Sequence, residues 1–293
     1  MLLPAMKHPF LLFLRHIVLF NTLLLFFQQG AAQYYYHDIV LTGQNRQQQQ
    51  LYKKNRVTGT KLLSYEANGQ PSEDFTCEVT LNNDFTQIRT FTKSGLADAS
   101  LLTAFYNAEG QLYRSTDSSK ELVNTYEYSY DETGRLAMAN NTSAGSGNNM
   151  QQKETHQWKY NSNGCPETML RIRNGTDTTT VKFLCDEQGN VTEEESWRRT
   201  LSQEKIYYYY DNSHRLTDVV RYNTKLGRLL PDYMFEYDGE GQLTQMTAVQ
   251  QGANDYLIWQ YEYAANGLKT KATCLNKQKR PVGRIEYEYT TQQ

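Results

Sequence analysis

Carboxylates are the most abundant groups in this sequence that could do chemistry, and glycoside hydrolysis is the chemistry they would do. The 293 residues include 32 Asp and Glu, with close pairs at Glu193-Glu194-Glu195, Asp238 with Glu240, and Asp131 with Glu132. Cleaving a glycosidic bond needs two carboxylates held at a set separation. Here the acids follow a repeated phrase and fall in turns or at solvent-facing strand positions, so catalysis by such a pair is not expected. Three histidines, His37, His156 and His214, lie beyond the first thirty-two residues, far apart and without ligand spacing. No Cys-x-x-Cys, His-Glu-x-x-His, phosphate loop or Gly-x-Ser-x-Gly occurs. Asp238-Gly-Glu-Gly241 and Asn161-Ser-Asn-Gly164 look like fragments of calcium loops but lack the remaining ligands, and read as turn chemistry. The chain is expected to be non-catalytic, with no metal and no cofactor.

Binding is the stronger reading. Aromatics make up 13% of the chain, with 23 Tyr, 11 Phe and 3 Trp. A planar ring on a rigid sheet can stack on a sugar. Trp158 and Trp259 fall in an alternating aromatic register and read as core. Trp197 interrupts the charged stretch Ser196-Trp197-Arg198-Arg199, so Trp197, Arg198 and Arg199 form the candidate ligand-binding set, with the arginines suited to an anionic group. Of the four cysteines, Cys165 opens one strand and Cys185 closes its hairpin partner, with Asn174-Gly175 near the midpoint. An odd loop centred on Gly175 sets the two opposite each other and allows a disulfide. A two-residue loop turns Cys185 to the other face. Cys77 and Cys274 sit at opposite ends of the repeat array and read as free thiols.

The first thirty-two residues have the layout of a secretory signal. Lys7, Arg15 and His16 form a basic leader, residues 17–27 are mostly apolar, and Gly30-Ala31-Ala32 precedes a cut before Gln33. The apolar run is short for a membrane span, and no later segment reaches spanning length. The mature chain is therefore expected to be exported, periplasmic or at the cell surface, where a disulfide can persist. With 30 Lys and Arg against 32 acids and a net charge of −2, no global basic surface for nucleic acid exists. A glycan or a protein at the cell surface is the expected partner.

One phrase recurs along the chain: an aromatic, a short polar residue, two variable residues, a glycine, one residue, then often an aliphatic. Copies begin at Tyr106 (Gly110), Tyr130-Asp131 (Gly134), Tyr160 (Gly164), Cys185 (Gly189), Tyr210-Asp211 (His214 in the glycine slot), Tyr237-Asp238 (Gly241) and Tyr263 (Gly267). Tyr65 to Gly69 reads as an earlier copy. The turn positions from 110 onward recur every 24 to 30 residues. Before each turn the chain alternates, as in Tyr126-Glu-Tyr128-Ser-Tyr130 and Trp259-Gln-Tyr261-Glu-Tyr263, which places the aromatics on one sheet face. Asp or Asn after the aromatic can hold the backbone two residues on, and glycine accepts positive φ. Each repeat is then two antiparallel strands.

These phrases, above all Tyr130-Asp131…Gly134-Arg135-Leu136, Tyr210-Asp211…Arg215-Leu216 and Tyr237-Asp238…Gly241-Gln242-Leu243, resemble the YD-repeat (RHS-repeat) family over residues 60–290. The resemblance implies long antiparallel sheets of tandem hairpins, which in large members coil into a shell around a toxin payload or form adhesion modules credited with carbohydrate binding. This chain resembles the short stand-alone bacterial members. It lacks a recognisable effector segment after the strand at 285–289 and has few repeats for a capacious shell.

The expected fold is all-β, a long twisted or curled antiparallel meander of hairpin repeats. The domain plan is a leader at 1–32, an irregular lead-in at 33–59 and the repeat domain at 60–293. The lead-in holds the glutamine run 47–50, read as a loop, and a short strand at 38–42. Residues 51–105 are expected to hold four or five strands with a turn at Gly95. The stretch 140–152 reads as the longest loop. An exported binding scaffold is the expected function. A packaging accessory of a secreted toxin or surface system is the alternative, and a polysaccharide-processing enzyme is the least favoured reading.

Overall fold

The alternating segments do form strands, and the strands form a closed wall. In the computed structural model, described for residues 34–292 except 96, 146–150, 224–225 and 250–254, one helix precedes 18 strands. The expected leader at 1–32 lies outside the described residues. Helix α1 spans His37–Lys54, strand β1 spans Val57–Glu66 and strand β18 spans Pro281–Thr291. Every strand pairs antiparallel with its neighbour in sequence, and β18 pairs with β1 from Thr291 opposite Val57 to Gly283 opposite Glu66. The sheet therefore has no edge: the curled meander expected from the sequence closes into a barrel.

Closure has a repeated cause. The register slips beside the last aromatic of hairpin after hairpin, between Phe105 and Tyr106, Ser129 and Tyr130, Lys159 and Tyr160, and Tyr209 and Tyr210. The same slip follows at Tyr237 and Tyr263. A bulge bends its strand and increases local twist. Bulges at one end of successive hairpins curl the sheet in one direction until its ends meet.

The recurrent chemistry of the repeats lies in the turn and in the tyrosine before it. Asp131 Oδ1 accepts from the backbone N–H of Thr133 (3.0 Å) and of Arg135 (2.9 Å), while Oδ2 accepts from Arg135 Nε (2.8 Å). The Arg135 guanidinium lies 4.4 Å from the centre of the Tyr160 ring, in the next repeat. Tyr160 in turn donates its hydroxyl to the Leu136 carbonyl (2.8 Å), just after the earlier turn. Asp211, Arg215, Tyr237 and Leu216 repeat the arrangement. The hydroxyls of Tyr130, Tyr210, Tyr263 and Tyr289 make the matching bond to Leu112, Val191, Leu243 and Lys269.

One repeat substitutes a covalent bond for that contact. Cys165 stands where Arg135 stands in its turn, and Cys185 stands in the tyrosine slot that follows. They are joined as a disulfide. Their strands, β9 (Pro166–Arg173) and β10 (Asp177–Cys185), are linked by three residues, with Arg173 opposite Asp177. That odd loop centres on Gly175 and sets the cysteines opposite each other. Cys77 and Cys274 are free and buried, and burial pushes both thiols up to about 12.

Alternation sorts the two faces of the wall. The core joins Leu62, Tyr128, Trp158, Met169, Val181, Ile206, Trp259 and Ile285 around the interior, with Tyr35 and Tyr52 packed among them. The outer face carries cross-strand charge ladders: Glu78–Lys61–Glu288, Lys182–Glu195–Lys205 and Glu262–Lys271–Glu286 run in register across three strands each. Such ladders suit water, since a lipid-facing wall is an apolar band. No described helix is long and apolar enough to cross a membrane.

Three local expectations are corrected. The lead-in expected to be irregular, with a strand at 38–42 and a glutamine loop, is helix α1. Gln and Leu are good helix formers, and the buried polar face of the helix finds partners in the barrel. The expected loop at 140–152 is mostly strand, ending at Gly145 and resuming at Gln151. The Tyr65–Gly69 phrase forms a turn at the end of the barrel opposite the others. The earlier copy at the correct end is Leu81 with Asn82, where Phe85 takes the glycine slot at φ 58°. Four strands fill residues 57–106.

Replacing Cys165 and Cys185 together by Ser is expected to lower unfolding stability by about 2–4 kcal/mol without opening the barrel. Urea titration read by far-UV circular dichroism checks this. An unchanged midpoint would show that the bridge adds nothing to a seam already held by its neighbours.

Candidate functional site

Helix α1 lies across the mouth formed by the repeat turns and reaches inward at its N-terminal end. Near its C-terminus, Gln49 donates to the Phe85 carbonyl (2.9 Å) and Asn55 to the Asn266 carbonyl (3.3 Å), both in turns at that end. A Cβ on Gly110 would lie 3.0 Å from Gln49 Oε1, and this turn residue has φ 74°, so glycine is favoured there by both backbone and neighbour. At mid-helix, Asn45 Oδ1 accepts from the Tyr106 hydroxyl (3.3 Å). Thr42, Asn45 and Gln49 are buried, so the helix is held by polar bonds as much as by apolar packing.

The N-terminal entry to α1 is clamped by charges inside the barrel. Glu194 accepts from the backbone N–H of Tyr35 (2.8 Å) and Tyr36 (2.9 Å) and from the Tyr208 hydroxyl (2.8 Å). His156 bonds Asp38 on the helix through Nδ1 (2.5 Å) and Glu154 through Nε2 (3.0 Å), and Arg171 Nη2 donates to Glu154 (2.6 Å). A second network joins Arg221 to Asp232 and Glu204. Each of these carboxylates is engaged by donors from the chain itself. Among the described residues no group of His, Cys, Asp and Glu could hold a metal.

Beside the helix a cleft of about 310 Å³ opens between α1 and the turns. Tyr36, Ile39 and Arg46 form the helix wall, and Tyr130, Arg135 and Tyr160 form the opposite one. The repeats supply aromatic rings from strand ends and a guanidinium from a turn. The helix supplies the lid. The cleft thus brings tyrosine rings and two guanidinium groups to one concave surface.

The sequence-derived binding set does not converge there. Trp197 faces outward, half-buried, with the Lys182 ammonium 5.5 Å from its ring centre. Its neighbour Arg198 points to the other face and pairs with Asp177 (2.8 Å). Arg199 sits in a turn at φ 57°. Adjacent strand residues alternate faces, so Trp197 and Arg198 cannot address one ligand from one side. Trp158 and Trp259 are buried, the former stacked on Phe183 at 5.2 Å. The repeat residues Tyr130, Gly134, Tyr160, Gly164 and Gly189 do line the cleft. What the sequence reading missed is the helix that makes them a site. A sequence signal existed only in Tyr34-Tyr35-Tyr36, whose rings pack against Tyr233, His156 and Tyr208.

No protein-family model matches the chain, and no curated protein matches it. Among solved structures, the Photorhabdus luminescens Tc holotoxin pore with a TccC3 variant is 15% identical, with a TM-score of 0.34. The match covers 73% of this chain and 12% of that one. A porin-like protein from Bacteroides uniformis is 11% identical with a TM-score of 0.43, covering 80% of this chain and 97% of that one. A porin-like protein from Bacteroides vulgatus is 11% identical with a TM-score of 0.30, covering 80% and 99%. The chain thus spans about an eighth of the toxin chain's length and nearly all of each porin-like protein's. At such TM-scores these likenesses decide neither fold nor function.

The clamp makes stability depend on pH. Burial pushes the Glu194 carboxyl up to about 7, against the pull of its three donors. Burial opposes the charge on His156, but Asp38 and Glu154 lift it to about 9. Burial also opposes the charge on Glu154, yet His156 and Arg171 bring it down to about 2. Glu194, raised in the fold, contributes stability that is full below its ordinary 4.5 and lost as pH rises through 7. The contribution of His156 is full below 6.5 and lost as pH rises through 9. That of Glu154 is present above 4.5 and lost as pH falls toward 2. The urea midpoint is expected to peak near pH 5 and fall toward pH 9. Glu194→Gln should flatten the fall between its ordinary 4.5 and about 7 and leave the acid limb of Glu154 and the upper limb of His156. An unaltered profile in that variant would exclude Glu194 as a titrating group.

Proposed function

We propose that this chain is an exported, non-catalytic repeat shell of the YD (RHS) type that binds a saccharide in the cleft between α1 and the repeat turns, in the periplasm or at the cell surface. The observation that carries the reading is the cleft itself: the ring of Tyr36 just before α1 and tyrosine rings from two successive repeats, with arginines at its margin. Flat rings beside fixed polar donors are the chemistry that holds a sugar. The repeat assignment is supported by the role found for each residue of the phrase: aspartate caps the turn, arginine stacks on the next tyrosine, and that tyrosine bonds back. Export is supported by the leader-like first 32 residues and by the disulfide, which is at home in an oxidising compartment. The packaging alternative would need a vacant interior, whereas α1 and inward aromatics occupy the mouth and core described here. Interior carboxylates engaged by Tyr35, Tyr36, Tyr208, His156 and Arg171 support a non-catalytic role.

Gly43 offers a clean test. It lines the cleft on α1, and a Cβ there would meet nothing within 4 Å. Gly43→Ala is expected to add about 1 kcal/mol of helix stability and to retain binding. Gly43→Trp is expected to fill the cleft and abolish binding to a panel of bacterial, plant and host polysaccharides, with the fold intact. Trp197→Ala, on the outer wall, should bind as the parent does. Affinity electrophoresis with each polysaccharide reads all three. Binding that survives Gly43→Trp and fails in Trp197→Ala would move the site to the outer wall.

A further inference from the structure

We propose that the saccharide taken by the cleft is acidic, its carboxylate or sulfate held between Arg46 and Arg135. This rests on the reading of the cleft as a saccharide site. The two arginines line opposite walls, one on α1 and one in a repeat turn. Arg171, Arg198, Arg215, Arg221 and Arg284 each have a carboxylate partner. Arg46 is exposed at the lip and makes no ion pair among the described residues, and its charge is felt at the Tyr130 hydroxyl.

Arg135 is fixed in place but not fully used. Its Nε and Nη2 are held by Asp131, and its plane rests on Tyr160. In the same slot of a later repeat, Arg215 has the same aspartate and tyrosine contacts and also donates through Nη1 to the Asp238 carbonyl (3.0 Å). Among the described residues Arg135 makes no such third bond, so its Nη1 has no protein acceptor on an otherwise immobilised guanidinium. Asp131 offsets the charge of Arg135, and Arg46 leaves the cleft with a net positive charge. A guanidinium presents paired donors that match a carboxylate or sulfate, and a pre-oriented one loses little freedom on binding. An acidic sugar would rest its ring against the tyrosines and place its anion at the arginines.

Matched ligands that differ only in charge test this: an oligogalacturonide against its methyl ester, and a sulfated heparin-derived oligosaccharide against its desulfated form. Calorimetry with the full mature chain is expected to show at least one acidic member binding about tenfold or more tighter than its neutral partner. Raised salt should erode that preference. Arg46→Gln, at an exposed position where the fold makes no demand, should abolish it, and Arg46→Lys should restore part of it. Equal affinity within both pairs would overturn the charge inference and leave the saccharide reading standing. An acid preference that survives Arg46→Gln would also overturn it. Failure of all four ligands to bind would sink both readings.

Discussion

A tyrosine hydroxyl bonded to the carbonyl just beyond the preceding turn is the contact on which the barrel depends. Hydrogen bonds along a hairpin fix its own two strands, but they do not set the angle at which one hairpin meets the next. The bond from Tyr160 to Leu136, and its counterparts from Tyr130 to Tyr289, sets that angle at the bulged end of each repeat. The aspartate and arginine in the turn then hold the ring from above. Such a bond contributes only about 1 kcal/mol. Its repetition around the wall matters because small, consistent rotations accumulate until β18 finds β1.

The same contact produces the cleft. Each tyrosine must point inward at the strand end to reach its carbonyl, so the turns form a rim of aromatic rings with basic residues set over them. A barrel of this strand number is wide enough for a channel when its interior is left open. Here α1 lies across the rim, and what remains of the opening is a cleft. The residues that fix the repeat geometry therefore also line the cleft: Tyr130, Arg135 and Tyr160 do both.

Much of the wall was legible in the sequence. The period, the turn residues and the alternating aromatics identify the hairpins because local chemistry decides them. The opposition of Cys165 and Cys185 followed from counting residues about Gly175, although the choice between loop lengths required the fold. Closure was not legible, since alternation records which face is buried and says nothing about how far the sheet rotates. Helix α1 was missed because Thr42, Asn45 and Gln49 separate Leu41 from Tyr52 on its buried side, so no continuous apolar stripe marks it. Glu194 was hidden between Glu193 and Glu195, where an acid run looks solvated. Its role comes from partners about 160 residues away, Tyr35 and Tyr36. The candidate site combines one legible wall with one that was not, and the set read from sequence, Trp197, Arg198 and Arg199, lies outside it.

The position of α1 before β1 also dictates an order of assembly. The helix leaves the ribosome ahead of every strand that surrounds it, and it cannot dock until Tyr106, His156 and Glu194 exist to hold it. The seam between β1 and β18 joins the two extremes of the wall, the pairing of greatest sequence separation and so the one most delayed by chain entropy. Until it forms, the sheet has two open edges able to recruit foreign strands. A chain crossing a membrane in extended form from its N-terminus would expose those edges for the whole transit. The last strand acts as a clasp, and the wall can close only when the whole chain is free to fold.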